Sequence, residues 1–190
     1  MNFSEYNIVL ASGSPRRKQM LEELGLSFTV RTKDTDESYP DSVKNEDVAE
    51  YLAVKKADAF TGEIAENELV ITADTIVLVD DTILGKPKDK DEAVSMLKKL
   101  SDKAHSVITG VCLMSKYNTE SFSATTKVFF KELTDEEIDY YIDKYEPFDK
   151  AGAYGIQEWI GLVGVENIEG SYFNVVGLPI QRLYTELVRF

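Results

Sequence analysis

Two strand-like segments, about His105 to Ser115 and Glu120 to Phe130, follow one another with only a Tyr-Asn turn between them. Strands so close in sequence pair as antiparallel neighbours, because a parallel pairing needs a crossover of about a dozen residues or more. The rest of the chain instead alternates apolar runs with amphipathic stretches, the pattern of βα units. "NIVLA" (Asn7 to Ala11) reads as a short buried strand and "SFTVRT" as a second. Between them lies a helix capped by Ser14, with Pro15 in its first turn, Met20, Leu21 and Leu24 on its apolar stripe, and Gly25 at its end. Asp34 to Asp47 is a polar, acidic loop leading to a helix capped near Asn45, whose inner face holds Val48, Leu52, Ala53 and Phe60. "LVITA" and "TIVLV" are strand material interrupted by Asp74. Ala93, Met96, Leu97 and Leu100 mark a further helix face, as do Ile138, Tyr141, Ile142 and Tyr145, and a terminal helix follows Pro179. Mixed α/β architecture accommodates both patterns, in one domain spanning 1–190.

Charge narrows the partners. The chain carries 34 acidic and 21 basic residues, a formal net charge of -13. Such a surface repels nucleic-acid polymers and anionic membranes, so an anionic ligand must meet a local basic patch. No apolar run approaches the roughly 18 residues of a membrane span, and no signal-peptide pattern opens the chain, which predicts a cytosolic protein. The lone Cys112, in "VITGVCLM", supports neither an internal disulfide nor a zinc cage and reads as a small buried hydrophobe.

The required basic patch lies in "LASGSPRRKQML", Leu10 to Leu21. A helix start presents unpaired N–H groups and the positive end of the helix dipole, yet Arg16, Arg17 and Lys18 add further positive charge there. The stretch is either a solvated basic turn or an anion site. It lacks the glycines and the Gly-Lys-Ser/Thr ending of a Walker A loop. Asp74, in "TADTIV", is placed at a strand end, where it either accepts turn hydrogen bonds or serves as a proton acceptor or metal ligand. Lys86 in "LGKPK" and Glu37 in "DTDES" read as solvated loop residues or as site residues. His105, the only histidine, has the look of a structural hydrogen-bonding residue, since a nucleophile for a Ser-His-Asp arrangement is not evident. "EPFDKAGAYGIQ" gathers small residues that allow close backbone approach, with Lys150 and Gln157 as polar ends.

Taken in order, "LASGSPRRKQML", "ADTIV", "GKP", "HSVITGV", "DKAGAYGIQ" and "EGSYFNVVGLP" resemble the motifs of the Maf-like nucleoside triphosphate pyrophosphatases, from about Leu10 to Pro179. The resemblance implies an elongated mixed sheet with flanking helices, two lobes around a central nucleotide-binding cleft, similar to inosine triphosphate pyrophosphatases, and a homodimer. It implies hydrolysis of a nucleoside triphosphate to its monophosphate and pyrophosphate with a divalent cation, Mg²⁺, Mn²⁺ or Co²⁺, in a role such as nucleotide-pool sanitation. Asp74 matches the family's proton acceptor, with Glu37, Lys56 and Lys86 as further catalytic residues, and Glu37 and Asp74 as metal ligands. Ser12, Ser14, Arg16, Arg17, Thr75, Lys150 and Gln157 fall to substrate binding. Of these, Arg16, Thr75 and Gln157 resemble the branch acting on dTTP and UTP; the branch acting on 7-methyl-GTP has tryptophan, glutamine and glutamate instead. A neutral amide suits the acceptor, donor, acceptor edge of uracil and thymine better than a carboxylate does. Glu158 departs from the family pattern, standing where glycine commonly follows the glutamine. A second reading is a nucleotide-binding regulator of septum formation with little turnover. Two carboxylates among lysines favour the enzyme, because binding alone needs cations more than carboxylates.

Overall fold

The computed structural model describes residues 5–190. Seven strands, β1 (Asn7–Leu10), β2 (Phe28–Val30), β3 (Glu68–Val79), β4 (Thr82–Leu84), β5 (Ala104–Met114), β6 (Thr119–Phe130) and β7 (Val165–Glu169), form one mixed sheet in the order β2-β1-β3-β5-β6-β7, with β4 on β3. β1 runs parallel to both β2 and β3, whereas β3 with β4 and β6 with β7 are antiparallel. The helices are α1 (Pro15–Glu23), α2 (Val48–Asp58), α3 (Lys90–Leu100), α4 (Asp135–Tyr145), α5 (Trp159–Gly164), α6 (Tyr172–Val176) and α7 (Ile180–Arg189). Among the described residues, no helix is long and apolar enough to cross a membrane.

The chain divides into two compact units. The first comprises the chain through Asp74, Thr109–Ala124 and Gly177–Phe190; the second comprises Thr75–Ile108 and Thr125–Val176. In the first unit, Val9 and Val70 pack with Phe60, and Ala53 and Ala57 of α2 pack with Cys112 and Met114. Alanines on α2 let the helix lie close to the sheet. Gly110 of β5 has no side chain to spare there, since a Cβ would overlap the backbone of Ala49 and Glu50. Thr72 completes the seam by donating its hydroxyl to the Ala53 carbonyl at 2.6 Å. Cys112 is fully buried, and burial pushes its thiol up to about 12, as befits a hydrophobe rather than a nucleophile.

α1 takes the predicted form. Ser14 caps it, its hydroxyl accepting the Arg17 N–H at 3.4 Å, and Pro15 occupies the first turn. Its end is a Schellman turn: the Gly25 N–H reaches the Glu22 carbonyl at 2.9 Å and the Leu26 N–H reaches that of Leu21 at 3.2 Å. Gly25 adopts φ +79°, which a side chain would oppose. α2 starts differently from the expected cap near Asn45. A 3₁₀ turn, Asn45–Asp47, leads into it, and neither Lys44 nor Asp47 gives a side-chain cap. Phe60 is buried but lies beyond the helix end, in the turn that follows.

In the second unit the helix stripes are as expected: Ala93, Met96, Leu97 and Leu100 of α3 are buried, as are Ile138, Tyr141 and Ile142 of α4. Thr134 and Glu137 close a capping box at α4, each side chain receiving the other's N–H, at 3.2 and 3.0 Å. The "EGSYFNVVGLP" stretch is anchored here by Asn174, whose amide donates to the Val107 carbonyl at 3.0 Å and to Thr126 Oγ1 at 3.1 Å.

Candidate active site

The parallel register of β1 and β3 sets up the first cluster. Leu10 is the last β1 residue paired with β3, opposite Ile71, so Ala73 and Asp74 run past the carboxyl end of β1 toward the start of α1. In open α/β sheets this is where ligands bind. One expectation needs correction: Asp74 does not interrupt two strands but lies within a single continuous β3. Its neighbours explain the tolerance of a carboxylate there, because Asp74 Oδ1 takes a hydrogen-bonded ion pair from Lys56 of α2.

Lys56 also meets Glu37 Oε1 at 2.9 Å, so one ammonium gathers two carboxylates. Neighbouring Lys55 points its charge at the loop that carries Glu37, donating to the Ser38 carbonyl at 2.7 Å and to Asp36 Oδ2 at 3.1 Å. Bonds from Ser38 and then Lys55 hold the Asp36 carboxyl at about 2, well below the usual range. Consecutive residues of a helix diverge by about 100° around its axis, so two adjacent lysines can pin the loop and the site separately.

Arg17 is placed with less freedom than its charge suggests. Its Nε donates to the Gly177 carbonyl and its Nη1 to the Ala73 carbonyl, both at 2.8 Å, while Ser12 Oγ accepts from Nη1 at 3.3 Å. Burial lowers its pKa, an effect that Asp74 and Glu37 oppose. The guanidinium is therefore a brace between α1 and β3 as well as a local positive charge. Arg16 is half-buried, whereas Lys18 pairs with Glu22 at 3.7 Å in the open. Ser12 also accepts the Ser14 N–H, at 3.3 Å.

The second unit carries the other predicted residues. Lys86 is exposed, in a loop fixed by the Gly152 N–H donating to the Gly85 carbonyl at 3.0 Å. Gly152, at φ +70°, packs against Val77 with little room for a side chain. Lys150 is no open cation: its ammonium pairs with Asp149 at 2.6 Å and Glu158 at 3.0 Å. Gln157 is exposed and Thr75 half-buried. Glu158 also receives the hydroxyl of Tyr141. Tyr141 had only the signature of a core residue, its spacing on α4, and nothing in that periodicity marks its hydroxyl. His105 is buried and structural, its Nε2 within 2.8 Å of the Tyr154 hydroxyl, and burial brings it down to about 4.

Such an arrangement, two carboxylates on one lysine beside the arginine-bearing start of a helix, is that of an α/β protein with its charged cluster at the carboxyl end of a parallel strand. The sequence matches known proteins along nearly its whole length. The Maf-like protein family model matches residues 7–190. The dTTP/UTP pyrophosphatase of Phocaeicola vulgatus is 57% identical over 98% of this chain and 97% of its own length. That of Parabacteroides distasonis is 54% identical over 100% of this chain and 98% of its own. The Staphylococcus aureus Ham1 protein is a structural match with 17% identity and a TM-score of 0.46, covering 65% of this chain and 71% of that one. The chain belongs to the Maf family.

Proposed function

We propose that this protein hydrolyses nucleoside triphosphates, dTTP and UTP foremost, to monophosphate and pyrophosphate. The observation that carries the reading is the convergence of Glu37 and Asp74 on Lys56 beside the basic start of α1. The near-full-length similarity to dTTP/UTP pyrophosphatases supports the substrate class.

Asp74 accepts the proton of the attacking water. The water oxygen bonds to the α-phosphorus, the bond to the bridging oxygen breaks, and pyrophosphate leaves with the electron pair. Lys56 and Lys86 act as point charges on phosphate, whereas Arg16 and Arg17 bring forked donors. Arg17, already bonded to two carbonyls, contributes mainly field and geometry. Arg16, Thr75 and Gln157 set the base preference.

The residues also fit a divalent cation. Glu37 and Asp74 already converge on one positive group, and hard cations such as Mg²⁺ take one or two carboxylates together with substrate phosphates. Among the described residues, no three His, Cys, Asp or Glu gather as a ready cage. When bound, such an ion supplies Lewis-acid assistance and neutralises phosphate charge.

The test is direct. Purified protein is incubated with dTTP, UTP, CTP, ATP or GTP and with Mg²⁺, Mn²⁺ or Co²⁺, and the products are resolved by ion exchange. Monophosphate and pyrophosphate in equal amounts, fastest from dTTP and UTP, are expected. Orthophosphate as the product, or nucleotide binding without turnover, overturns the reading.

A further inference from the structure

The stretch from Lys150 to Glu158 is braced by three side chains of the second unit. Tyr141, with no exposed surface, accepts the Gly155 N–H on its hydroxyl at 3.0 Å and donates that hydroxyl to Glu158 Oε2. Burial first, and then Glu158, push its pKa above the ordinary phenol value, so the proton stays on Tyr141. Glu158 Oε1 receives Lys150 Nζ at 3.0 Å, with the Lys150 side chain only 10% exposed. The Glu158 N–H closes a turn on the Gly155 carbonyl at 3.0 Å. Gln157 is therefore the third residue of a four-residue turn whose first and last members are both clamped, and it alone of the last three is exposed. Glu158 and Lys150 also cover Gly155, where a Cβ would lie 3.0 Å from Glu158 Cδ and 3.1 Å from Lys150 Cε.

A short polar turn left loose would lose freedom on binding, and prior fixation removes that loss. We infer that Glu158, held by Tyr141 and Lys150, is a positioning residue that fixes the Gly155–Glu158 turn so that the Gln157 amide meets a pyrimidine edge in one orientation; the inference rests on the dTTP/UTP reading above. Glu158 touches no reacting atom. Its effect passes through the turn.

The experiment measures kcat and KM for dTTP, UTP and GTP in the parent, Glu158→Ala, Glu158→Gln and Tyr141→Phe, below each protein's melting temperature. In Glu158→Ala and Tyr141→Phe, KM for dTTP and UTP rises about fivefold or more, with kcat within about twofold and GTP unaffected. Glu158→Gln, which keeps one acceptor oxygen, falls between. Amide hydrogen exchange at Gly155 and at residue 158, the two N–H groups bonded within the clamp, reads it without substrate and speeds up roughly tenfold in the alanine variant. Equal losses on all three nucleotides, or an unchanged preference, overturn the inference, as does unchanged exchange. Should Glu158→Ala fail to fold, Tyr141→Phe and Glu158→Gln carry the same test. A parent inactive on dTTP and UTP overturns the functional reading instead, and exchange still decides whether the clamp exists.

Discussion

Asp74 is asked to do two things that a single substitution separates. As a proton acceptor it needs a basic oxygen; as a partner of Lys56 it needs only an acceptor. Asp74→Asn keeps shape and an amide oxygen but loses the basicity. Turnover should fall about 100-fold or more. Nucleotide affinity should stay within roughly tenfold, about 1.4 kcal/mol. Single-turnover assays and titration calorimetry check the two halves, and near-normal turnover would remove Asp74 from the chemistry. Lys56 behaves in the opposite way. Its ammonium offsets the repulsion between the two carboxylates; on the proposed function it also meets the triphosphate, so Lys56→Ala should weaken triphosphate binding and flatten its salt dependence. Binding measured from low to high salt would show a reduced slope; an unaltered slope would return Lys56 to a role internal to the protein.

At the scale of elements, the seam between α2 and β5 is set by side chains that are absent. Gly110→Ala would drive a methyl into the backbone of Ala49, which belongs to the rigid first turn of a helix and cannot rotate away. Overpacking of this kind costs roughly 3 kcal/mol. Thermal melting should show a drop of about 6 °C or more; an unmoved melting temperature would mean that α2 can slide. The amphipathic faces of α3 and α4 were legible in the sequence because their apolar spacing is regular over whole turns. β4, α5, α6 and β7 were not, being only 3 to 6 residues long, too short to establish a period. β3 was misread as two pieces because a carboxylate in mid-strand carries no local mark of the lysine, 18 residues earlier, that receives it. The same limit held at the site. Charged residues at a helix start leave a solvated turn and an anion site both open, and no spacing shows that Arg17 will spend two donors on carbonyls 56 and 160 residues away, or that Lys150 will be taken by Glu158. Long-range partners decide what a charge is available to do.

For the molecule as a whole, net charge and a buried histidine make opposing claims on acid stability. At a formal charge of -13 the folded chain repels itself, and protonating carboxylates toward the isoelectric point near 4.6 relieves that repulsion. His105 works the other way. Its pKa falls from 6.5 to about 4 on folding because burial disfavours the imidazolium. Between those values the unfolded chain binds a proton that the native one refuses, so His105 contributes full stability above about pH 6.5 and loses it as pH falls toward 4. From pH 7.5 to 5 the loss should be about 2 kcal/mol. Most carboxylates titrate below that interval, so it isolates the histidine. Salt separates the two effects further, because self-repulsion is screened and the desolvation of a buried ring is not. Melting temperatures should therefore fall by roughly 4–8 °C from pH 7.5 to 5 at high and low salt alike. In His105→Gln, which cannot take up a proton, that slope should vanish even though the variant is less stable throughout. A parent protein whose melting temperature is flat across the interval would show that His105 gains its proton without leaving the fold.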